Sequence, residues 1–346
     1  MDVATQTLPV ARGPYRLYAE VVPGPGVPVV LMHGFPDNTH LYDRLVPHLA
    51  GRRPVVRFDF LGWGRSDKPA GYPYTAANQA GDLAVVADAV QEHFGAGPLV
   101  LVAHDASGPP AIDWALANPD RVAMLVLLNT YYHWTAGLRR PPRIAVFSTP
   151  IIRAAARAIV RRWPGLDRRF FTWQVGGFIT DPAVRDELVP ELYEQSLPAR
   201  PAFWRLNDDL LTAVASRRRR IGDMRRFAPP VRVIFGARDR YLNPRVARNF
   251  AALFPQRAAP ARRRRALRPG RPARAGRRPH RQRIASRAQP SSCSPLDRAR
   301  PGRSARPSQG PAGRRDRRGS SARGNWQDTE LVFTTHLGIA IDVSPT

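Results

Sequence analysis

The first 130 residues alternate between short, wholly apolar runs and longer segments with helical periodicity. Four runs are typical of buried strands, at residues 27–32, 55–58, 99–102 and 122–128. A further strand is predicted at residues 15–22 and a helix at residues 41–49. A longer amphipathic helix is predicted at residues 78–93, with Leu83, Val86, Ala87 and Val90 on one face. This alternation predicts an α/β fold with an open, doubly wound, mostly parallel sheet.

The strand pattern stops after residue 130 and returns only once. Residues 131–226 contain helix-compatible segments rich in aromatic residues and arginine, whereas residues 231–235 form another short apolar run. From residue 257 the hydrophobic periodicity is lost in a run of Arg, Pro, Ala and Gly, which is typical of disordered chain. We therefore divide the chain into a first core segment at 1–130, a helical insertion at 131–226, a second core segment at 227–256 and a disordered tail at 257–346.

Arginine dominates the charge of the chain. The formal net charge is +27, and the tail contributes most of it with 22 Arg, no Lys and five acidic residues. Lys68 is the only lysine, so the bias indicates a GC-rich gene more than a selected basic surface. A nucleic-acid-binding protein with a basic tail is the alternative from another functional class. The tail lacks interleaved aromatic residues, so we expect no specific nucleic acid as partner.

Cysteine content and apolar run length bear on location. Cys293 is the only cysteine, which excludes an intrachain disulfide and fits a reducing cytoplasm. The N-terminus has no basic-then-apolar signal pattern, and no apolar run is long enough to span a membrane. We expect a cytoplasmic protein with no membrane partner.

The apolar run at 99–102 leads into a cluster of small residues with one carboxylate at its centre, Asp105. A helix-like segment begins at Ala111. A strand, a sharp turn and a helix in this order are typical of a nucleophile elbow, which usually carries Ser. Here the Asp105 carboxylate would attack and form an ester with a carbon of the substrate. The alternative is that Asp105 caps the N-terminus of the helix.

Two further motifs accompany the elbow at His104 and Asp105. They are His33-Gly34-Phe35-Pro36, after the run at 27–32, and a glycine-punctuated loop from Asp59 to Lys68. In this order and at these spacings, the three motifs resemble the α/β-hydrolase fold family, in the branch that contains epoxide hydrolases and haloalkane dehalogenases. The resemblance covers residues 15–256.

The resemblance implies hydrolysis in two steps. Asp105 would be alkylated by the substrate, and water activated by a histidine would then hydrolyse the ester. A second acid orients that histidine, and the resemblance assigns this role to Asp239, for which a turn residue is the alternative. The backbone N–H groups of Phe35 and Ala106 would form the oxyanion hole. The implied partners are a small apolar epoxide or haloalkane and water, and neither a cofactor nor a metal is implied.

In the same resemblance, the helical insertion corresponds to a cap over an apolar pocket. In epoxide hydrolases, cap tyrosines donate a hydrogen bond to the epoxide oxygen. In haloalkane dehalogenases, a Trp directly after the nucleophile stabilises the leaving halide, but that position is Ala106 here. The candidate pocket residues are Tyr131, Tyr132, Trp134, Tyr193 and Trp204. We favour an epoxide substrate, with a haloalkane as the alternative.

The histidine of the second step is missing from its expected place. The resemblance places it within roughly thirty residues of Asp239, but the next histidine along the chain is His280, which no strand precedes. Reading the gene one base later from Arg257 permits a strand, a histidine opposite Ala266 and then a helix. Leu267 is the only leucine of that stretch, so only its codon can start with T after the shift, as an aromatic residue requires. We therefore predict that the tail is frameshifted and that the activity of this chain is impaired.

Overall fold

The computed structural model describes residues 4–179 and 181–255, together with two short strands near the C-terminus. The strands are β1 (Gln6–Thr7), β2 (Val10–Arg12), β3 (Tyr15–Leu17), β4 (Ala19–Val22), β5 (Val29–Met32), β6 (Val55–Phe58), β7 (Leu99–Asp105), β8 (Val122–Thr130), β9 (Val231–Ile234), β10 (Phe333–Thr334) and β11 (Ala340–Ile341). The helices are α1 (Val46–Leu49), α2 (Ala76–Phe94), α3 (Gly108–Ala117), α4 (Pro142–Ser148), α5 (Pro150–Arg162), α6 (Pro164–Gly176), α7 (Pro182–Ser196), α8 (Arg200–Ser216), α9 (Ile221–Arg226) and α10 (Pro244–Ala251). Strands β10 and β11 pair with each other in antiparallel orientation. The prediction of a disordered tail otherwise falls on residues outside the described part.

Seven strands form the main sheet in the order β1-β4-β6-β5-β7-β8-β9. Strands β5 to β9 are mutually parallel, and β4 joins β6 in antiparallel orientation. The predicted fold class is therefore confirmed. In the register of the sheet, Met32 lies beside both Phe58 and Ala103, so the loops that follow β5, β6 and β7 leave the sheet at the same edge. Such an edge, at the carboxyl ends of parallel strands, is where open α/β sheets bind their ligands.

The central strands are buried on both faces, which explains their continuous apolar runs. In β7, Leu101 and Ala103 pack into the core shared with α2 and α3, whereas Val100 and Val102 pack into the core on the opposite face. Leu83, Val86, Ala87 and Val90 of α2 are fully buried in the first of these cores. The predicted apolar face of this helix is thus the face that covers the sheet.

The helical insertion lies between β8 and β9 in the chain and contains α4 to α9. A buried charge network connects three of its helices. The carboxylate of Asp167, on α6, accepts hydrogen bonds from Arg143 of α4 at 2.5 Å and from Arg200 of α8 at 2.6 Å. Among the described residues, no helix is both long enough and apolar enough to cross a membrane.

Three predicted elements differ from the structure. The strand at 15–22 is divided into β3, which pairs with β2 in a separate hairpin, and β4, which joins the main sheet. The helix at 41–49 is a 3-10 turn (Thr39–Tyr42) followed by α1, whose first turn contains Pro47, a residue with no N–H to donate. Strand β7 continues three residues beyond the predicted end, to Asp105.

Candidate active site

Asp105 is the last residue of β7 and has a φ of +49°, a conformation that non-glycine residues adopt only where the surrounding structure requires it. Close packing fixes this turn. A Cβ on Gly34 would lie 2.6 Å from Cβ of Asp105, and a Cβ on Gly108 would lie 1.9 Å from Oγ1 of Thr130. The Thr130 hydroxyl donates to the backbone carbonyl of Asp105 at 2.5 Å. The small residues of the predicted elbow are therefore required by the close approach of β5, β8 and α3.

The carboxylate of Asp105 lies between two backbone N–H groups. Phe35 donates its N–H to Oδ2 at 3.2 Å, and the N–H of Ala106 also donates to the carboxylate. Burial raises the pKa of Asp105 to about 6, against the lowering effect of these two hydrogen bonds, and the charge of Asp239 adds to the increase. The N-cap residue of α3 is Ser107, so Asp105 does not have the capping role that was the alternative. At neutral pH the side chain is an ionised carboxylate held in place from the backbone.

The loop that supplies the Phe35 N–H is held by two buried side chains. His33 accepts a hydrogen bond from the backbone N–H of Phe60 at its Nε2 atom, which leaves Nδ1 to donate to the carbonyl of Gly34 at 3.0 Å. Asp59 accepts the backbone N–H groups of Thr39 and Arg65 at 2.7 and 2.8 Å. These contacts join the loops after β5 and β6. They fix the donor that faces Asp105.

Asp239 lies in the loop after β9 and lines the same cavity as Asp105. Its Oδ1 accepts the backbone N–H groups of Tyr241 and Leu242 at 2.8 and 2.9 Å, and its Oδ2 accepts from Nδ2 of Asn129 at 2.8 Å. Asn129 also accepts the N–H of Gly236 at 2.9 Å, so it connects the end of β8 to the loop that carries the acid.

Asn129 was missed by the sequence analysis. It is buried and has a φ of +33°. Its position could have identified it as a functional residue. Asn129 is a polar residue directly after the apolar run of a predicted parallel strand, at the edge of the sheet where ligands bind. Its partner is 110 positions away in the chain, which no local pattern reports.

The cavity has a volume of about 150 Å³ and a mainly apolar wall. Asp105, Ala106 and Phe35 lie on its core side, and the helical insertion contributes most of the opposite side. The apolar residues contributed by the insertion include Leu138, Ile144, Val175, Phe178, Leu206 and Leu210. Three lining side chains, Gln79, His104 and Asn207, each have a buried polar atom with no hydrogen-bond partner among the described residues. The cavity can therefore hold a small apolar molecule with a few polar contacts.

Two of the five candidate pocket residues line the cavity. They are Tyr131 and Trp134. Burial and the charge of Asp105 raise the pKa of Tyr131 well above its usual value, so its hydroxyl keeps its proton at all physiological pH values. The indole of Trp134 is 43% exposed, so it lies where the cavity wall meets the surface.

The other three candidates lie outside the cavity, and we correct the prediction for them. Tyr132 donates its hydroxyl to Asp113 at 2.6 Å, and this bond directs the ring away from the cavity. Tyr193 packs within the insertion against Phe171, and the ring of Trp204 packs near Phe147. Tyr132 lies in the loop after β8, whereas Tyr193 and Trp204 lie on helices whose cavity-facing side cannot be read from the sequence alone.

No imidazole contacts Asp239 within the described residues. His33 and His104 line the cavity, but His33 is engaged in its loop contacts. Burial and the neighbouring His33 lower the pKa of His104 to about 4, so this ring is neutral at pH 7. His280 and the position of the latent histidine lie outside the described residues.

Residues 27–271 match the model of the alpha/beta hydrolase fold family. The chain is 38% identical to a cis-3-alkyl-4-alkyloxetan-2-one decarboxylase of Shewanella oneidensis, over 31% of this chain and 33% of the relative. It is 37% identical to a fluoroacetate dehalogenase of a Burkholderia species, over 32% of this chain and 36% of the relative. The match with haloalkane dehalogenase 2 of Mycobacterium tuberculosis is longer, with 26% identity over 67% of this chain and 78% of the relative. The first two matches thus span about a third of the length of these relatives.

Solved structures show the same fold. An epoxide hydrolase aligns with a TM-score of 0.51 and 23% identity, over 66% of this chain and 81% of the other. A haloalkane dehalogenase of Agrobacterium tumefaciens aligns with a TM-score of 0.53 and 20% identity, over 66% and 77%. The relatives and structures confirm the resemblance that the three motifs indicate. Because the family model matches more than half of this chain, the chain belongs to the alpha/beta hydrolase fold family.

Proposed function

We propose that this chain is a hydrolase that forms a covalent ester between its substrate and Asp105. The observation that supports the proposal is the contact of the Asp105 carboxylate with the N–H groups of Phe35 and Ala106. In a serine hydrolase, such a pair of donors receives the carbonyl oxygen of the substrate. In this chain the corresponding pair of N–H groups contacts an oxygen of the Asp105 carboxylate, which is the proposed nucleophile itself. When water adds to Cγ of an Asp105 ester, negative charge develops on that oxygen, so the donors would stabilise the second transition state.

For an epoxide, the first step needs a proton donor. One carboxylate oxygen of Asp105 attacks a ring carbon, a C–O bond forms, the ring C–O bond breaks, and the released oxygen takes up a proton. Tyr131 is the donor we assign, because its hydroxyl belongs to the cavity wall that Asp105 shares and stays protonated. The product of this step is a hydroxyalkyl ester of Asp105.

For a haloalkane, the first step releases a halide ion and needs no proton. A second candidate function, dehalogenation, is favoured by Trp134, whose indole lines the cavity and can donate its N–H to a halide. Two of the relatives are dehalogenases by name. In both chemistries the insertion serves as a cap, since Ile144, Val175 and Phe178 enclose the substrate from the side opposite Asp105.

The second step requires a base that removes a proton from water. We assign Asp239 as the acid that orients such a base, and its carboxylate accepts hydrogen bonds from Asn129 and two backbone N–H groups. Within the described residues, no histidine is bonded to it. We therefore propose that the ester accumulates in this chain and is hydrolysed slowly.

Mass spectrometry of the full chain tests the proposal. After incubation with styrene oxide or 1-bromobutane, we expect the peptide that contains Asp105 to gain the mass of the ring-opened epoxide or of the alkyl group. Asp105→Asn removes the nucleophile and should abolish the adduct. Asp209→Asn alters an exposed acid on α8 and should leave the adduct in place. The absence of an adduct with both reagents, or an equal adduct in the Asp105→Asn variant, would show that Asp105 is not the nucleophile.

The variant Tyr131→Phe separates the two chemistries. Loss of the proton donor should slow alkylation by styrene oxide by about 100-fold or more, because a positioned general acid contributes roughly 10²- to 10⁴-fold. Alkylation by 1-bromobutane should change little, since its leaving group takes no proton. An equal loss of rate with both reagents would indicate that Tyr131 shapes the cavity without donating a proton.

A further inference from the structure

An apolar surface on α5 and α6 takes no part in the proposed function. Six of the seven large hydrophobic side chains that are exposed lie between residues 151 and 173. Ile151 is 90% exposed, Trp173 63%, and Trp163 and Leu166 54% each; Ile152 and Ile159 complete the set. Scattered exposed hydrophobic residues are normal, but a contiguous group marks an interaction site.

Three of these side chains lie around one groove. Ile159, Leu166 and Trp173 line a single open groove of about 430 Å³, together with Val160 and Phe170. Trp163 stands at the junction of α5 and α6. We refer to this groove and the six exposed side chains around it as the cap patch.

Arginine surrounds the cap patch and outnumbers the acids that contact it, which are the buried Asp167, Asp208 beside Arg153 and Arg157, and Glu194 beside Arg168. Residues 150–176 contain six arginines and one acid, and that acid is the fully buried Asp167. The exposed arginines are Arg161, Arg162, Arg168 and Arg169. Arg162 lies over the ring of Trp163, and Arg169 lines the groove. The surface thus combines aliphatic residues, indoles and positive charge.

We propose that the cap patch docks on the surface of a lipid bilayer that contains anionic lipids. An amphipathic helix with an arginine-rich border and exposed Trp, Ile and Leu is suited to the interface between head groups and acyl chains. Indole rings prefer that depth, and anionic head groups complement the arginines. This docking is peripheral, and it replaces our expectation that the chain has no membrane partner.

Charge argues against the two other occupants. A two-fold dimer through the cap patch would place the arginines of one copy beside the same arginines of the other, and like charges at close range destabilise such an interface. The tail of this chain carries 22 Arg and five acidic residues, so it repels the patch as well. An anionic lipid surface is the occupant that satisfies both the apolar side chains and the charge.

Docking would bring the cavity close to the lipid. Helices α4 and α6 line both spaces: Ile144 and Val175 face the cavity, whereas Phe147 and Trp173 face the groove. A substrate that partitions into the bilayer would therefore meet the enzyme beside its catalytic cavity. The docking itself does not depend on the chemistry proposed for Asp105.

Vesicle flotation of the full chain tests the proposal. Vesicles of phosphatidylcholine are compared with vesicles that also contain phosphatidylglycerol. Because each basic residue at an anionic surface contributes a factor of about five, Arg162→Gln with Arg169→Gln should weaken binding to the anionic vesicles by about 30-fold. The matched control, Arg44→Gln with Arg52→Gln, removes two exposed arginines from the core. It should weaken binding by less than about threefold. An equal loss in both pairs would show that net charge or the tail carries the binding, and would overturn the proposal.

A local probe reports on the patch itself, independently of the tail. In a Cys293→Ser background, Ile151→Cys is labelled with an environment-sensitive dye, and Asp120→Cys, an exposed position of the core, serves as the control. Anionic vesicles should shift the emission of the dye at position 151 to shorter wavelength and leave that at position 120 unchanged. No shift at 151 would overturn the proposal. Sedimentation of the full chain is a second check. A dimer that dissociates when Trp163 and Trp173 are both replaced by Ala would also overturn the proposal, since a second copy of the chain would then occupy the patch.

Discussion

In the proposed mechanism, Asp105 is the nucleophile, and its carboxylate accepts the two backbone N–H groups that would form the oxyanion hole. Burial raises its pKa to about 6, and the N–H groups of Phe35 and Ala106 limit the increase. The carboxylate must be ionised to attack, so the rate of alkylation should follow its ionised fraction. In the proposed mechanism the two N–H groups would serve both steps, since they contact the carboxylate before the attack and would stabilise the oxyanion that forms when water adds to the ester.

The pH dependence of the first step follows from this pKa. With 1-bromobutane, whose leaving group takes no proton, we expect the rate of ester formation on Asp105 to rise with pH through a midpoint near 6. The rate at pH 5 should be about one tenth of that at pH 8, because one unit below the pKa leaves about a tenth of the group ionised. Quenched-flow samples analysed by mass spectrometry give this rate. A rate that is constant from pH 5 to 8 would contradict a raised pKa.

The same carboxylate should lower the stability of the fold. A carboxyl group whose pKa is raised from 3.8 to about 6 on folding destabilises the native state once it ionises there. Below pH 3.8 the group is protonated in both states, and the free energy of unfolding is at its highest. This free energy falls as the pH rises through 6. The loss amounts to about 3 kcal/mol, because one pKa unit corresponds to about 1.4 kcal/mol.

Asp105→Asn should therefore increase the free energy of unfolding at pH 8, and the gain should shrink towards pH 4. Denaturant titration at several pH values measures both quantities. The exposed Asp209→Asn supplies the comparison, and it should show no such pH-dependent gain. A destabilised Asp105→Asn at pH 8 would mean that the hydrogen bonds of the carboxylate outweigh its desolvation.

At the scale of elements, burial decides what the sequence could predict. Strands β5, β6, β7 and β8 were found because parallel strands buried on both faces are continuous apolar runs. Strand β3 was merged with β4 in the predicted strand at 15–22, because three residues with one buried side chain carry no signal that separates them from the next strand. Tyr132 and Tyr193 were assigned to the pocket from the resemblance, whereas the hydrogen bond of Tyr132 to Asp113 and the packing of Tyr193 against Phe171 decide where they lie. Asp105, Phe35 and Ala106 were assigned by motif, since turns with close backbone contacts tolerate few residue types.

The insertion depends on one buried charge, and this dependence can be measured. Asp167 is fully buried and bonded to Arg143, itself buried, and to Arg200. Removing one member of a buried charged pair costs about 3–5 kcal/mol, because the remaining charge is left unpaired. Asp167→Asn should thus make α4, α6 and α8 sensitive to proteolysis under native conditions. Asp209→Asn, on the surface of α8, should leave the cleavage pattern unchanged. Equal resistance of the two variants would mean that apolar packing alone holds the insertion.

For the whole molecule, the open question is the frameshift hypothesis, which concerns the chain that follows the second core segment. Within the described residues, β9 pairs with β8 alone, and none of its four residues is fully buried. The parallel strands β5 and β7, by contrast, are buried over almost their whole length. The frameshift hypothesis predicts a further strand after β9, and the residues that would form it lie outside the described part of the chain. An edge strand can pair with another chain.

Restoring the reading frame after Gln256 tests that hypothesis at the level of turnover. This chain should release one equivalent of bromide from 1-bromobutane in a fast phase and further bromide only slowly, because no histidine among the described residues contacts Asp239. The restored chain should release bromide continuously, since the latent histidine opposite Ala266 would stand beside Asp239. Replacing that histidine with Ala in the restored chain should return the reaction to a single fast equivalent, which separates catalysis from a gain in stability. Many fast turnovers by the unrestored chain would mean that another group acts as the base, and an unbroken frame in the resequenced gene would mean that the tail is native.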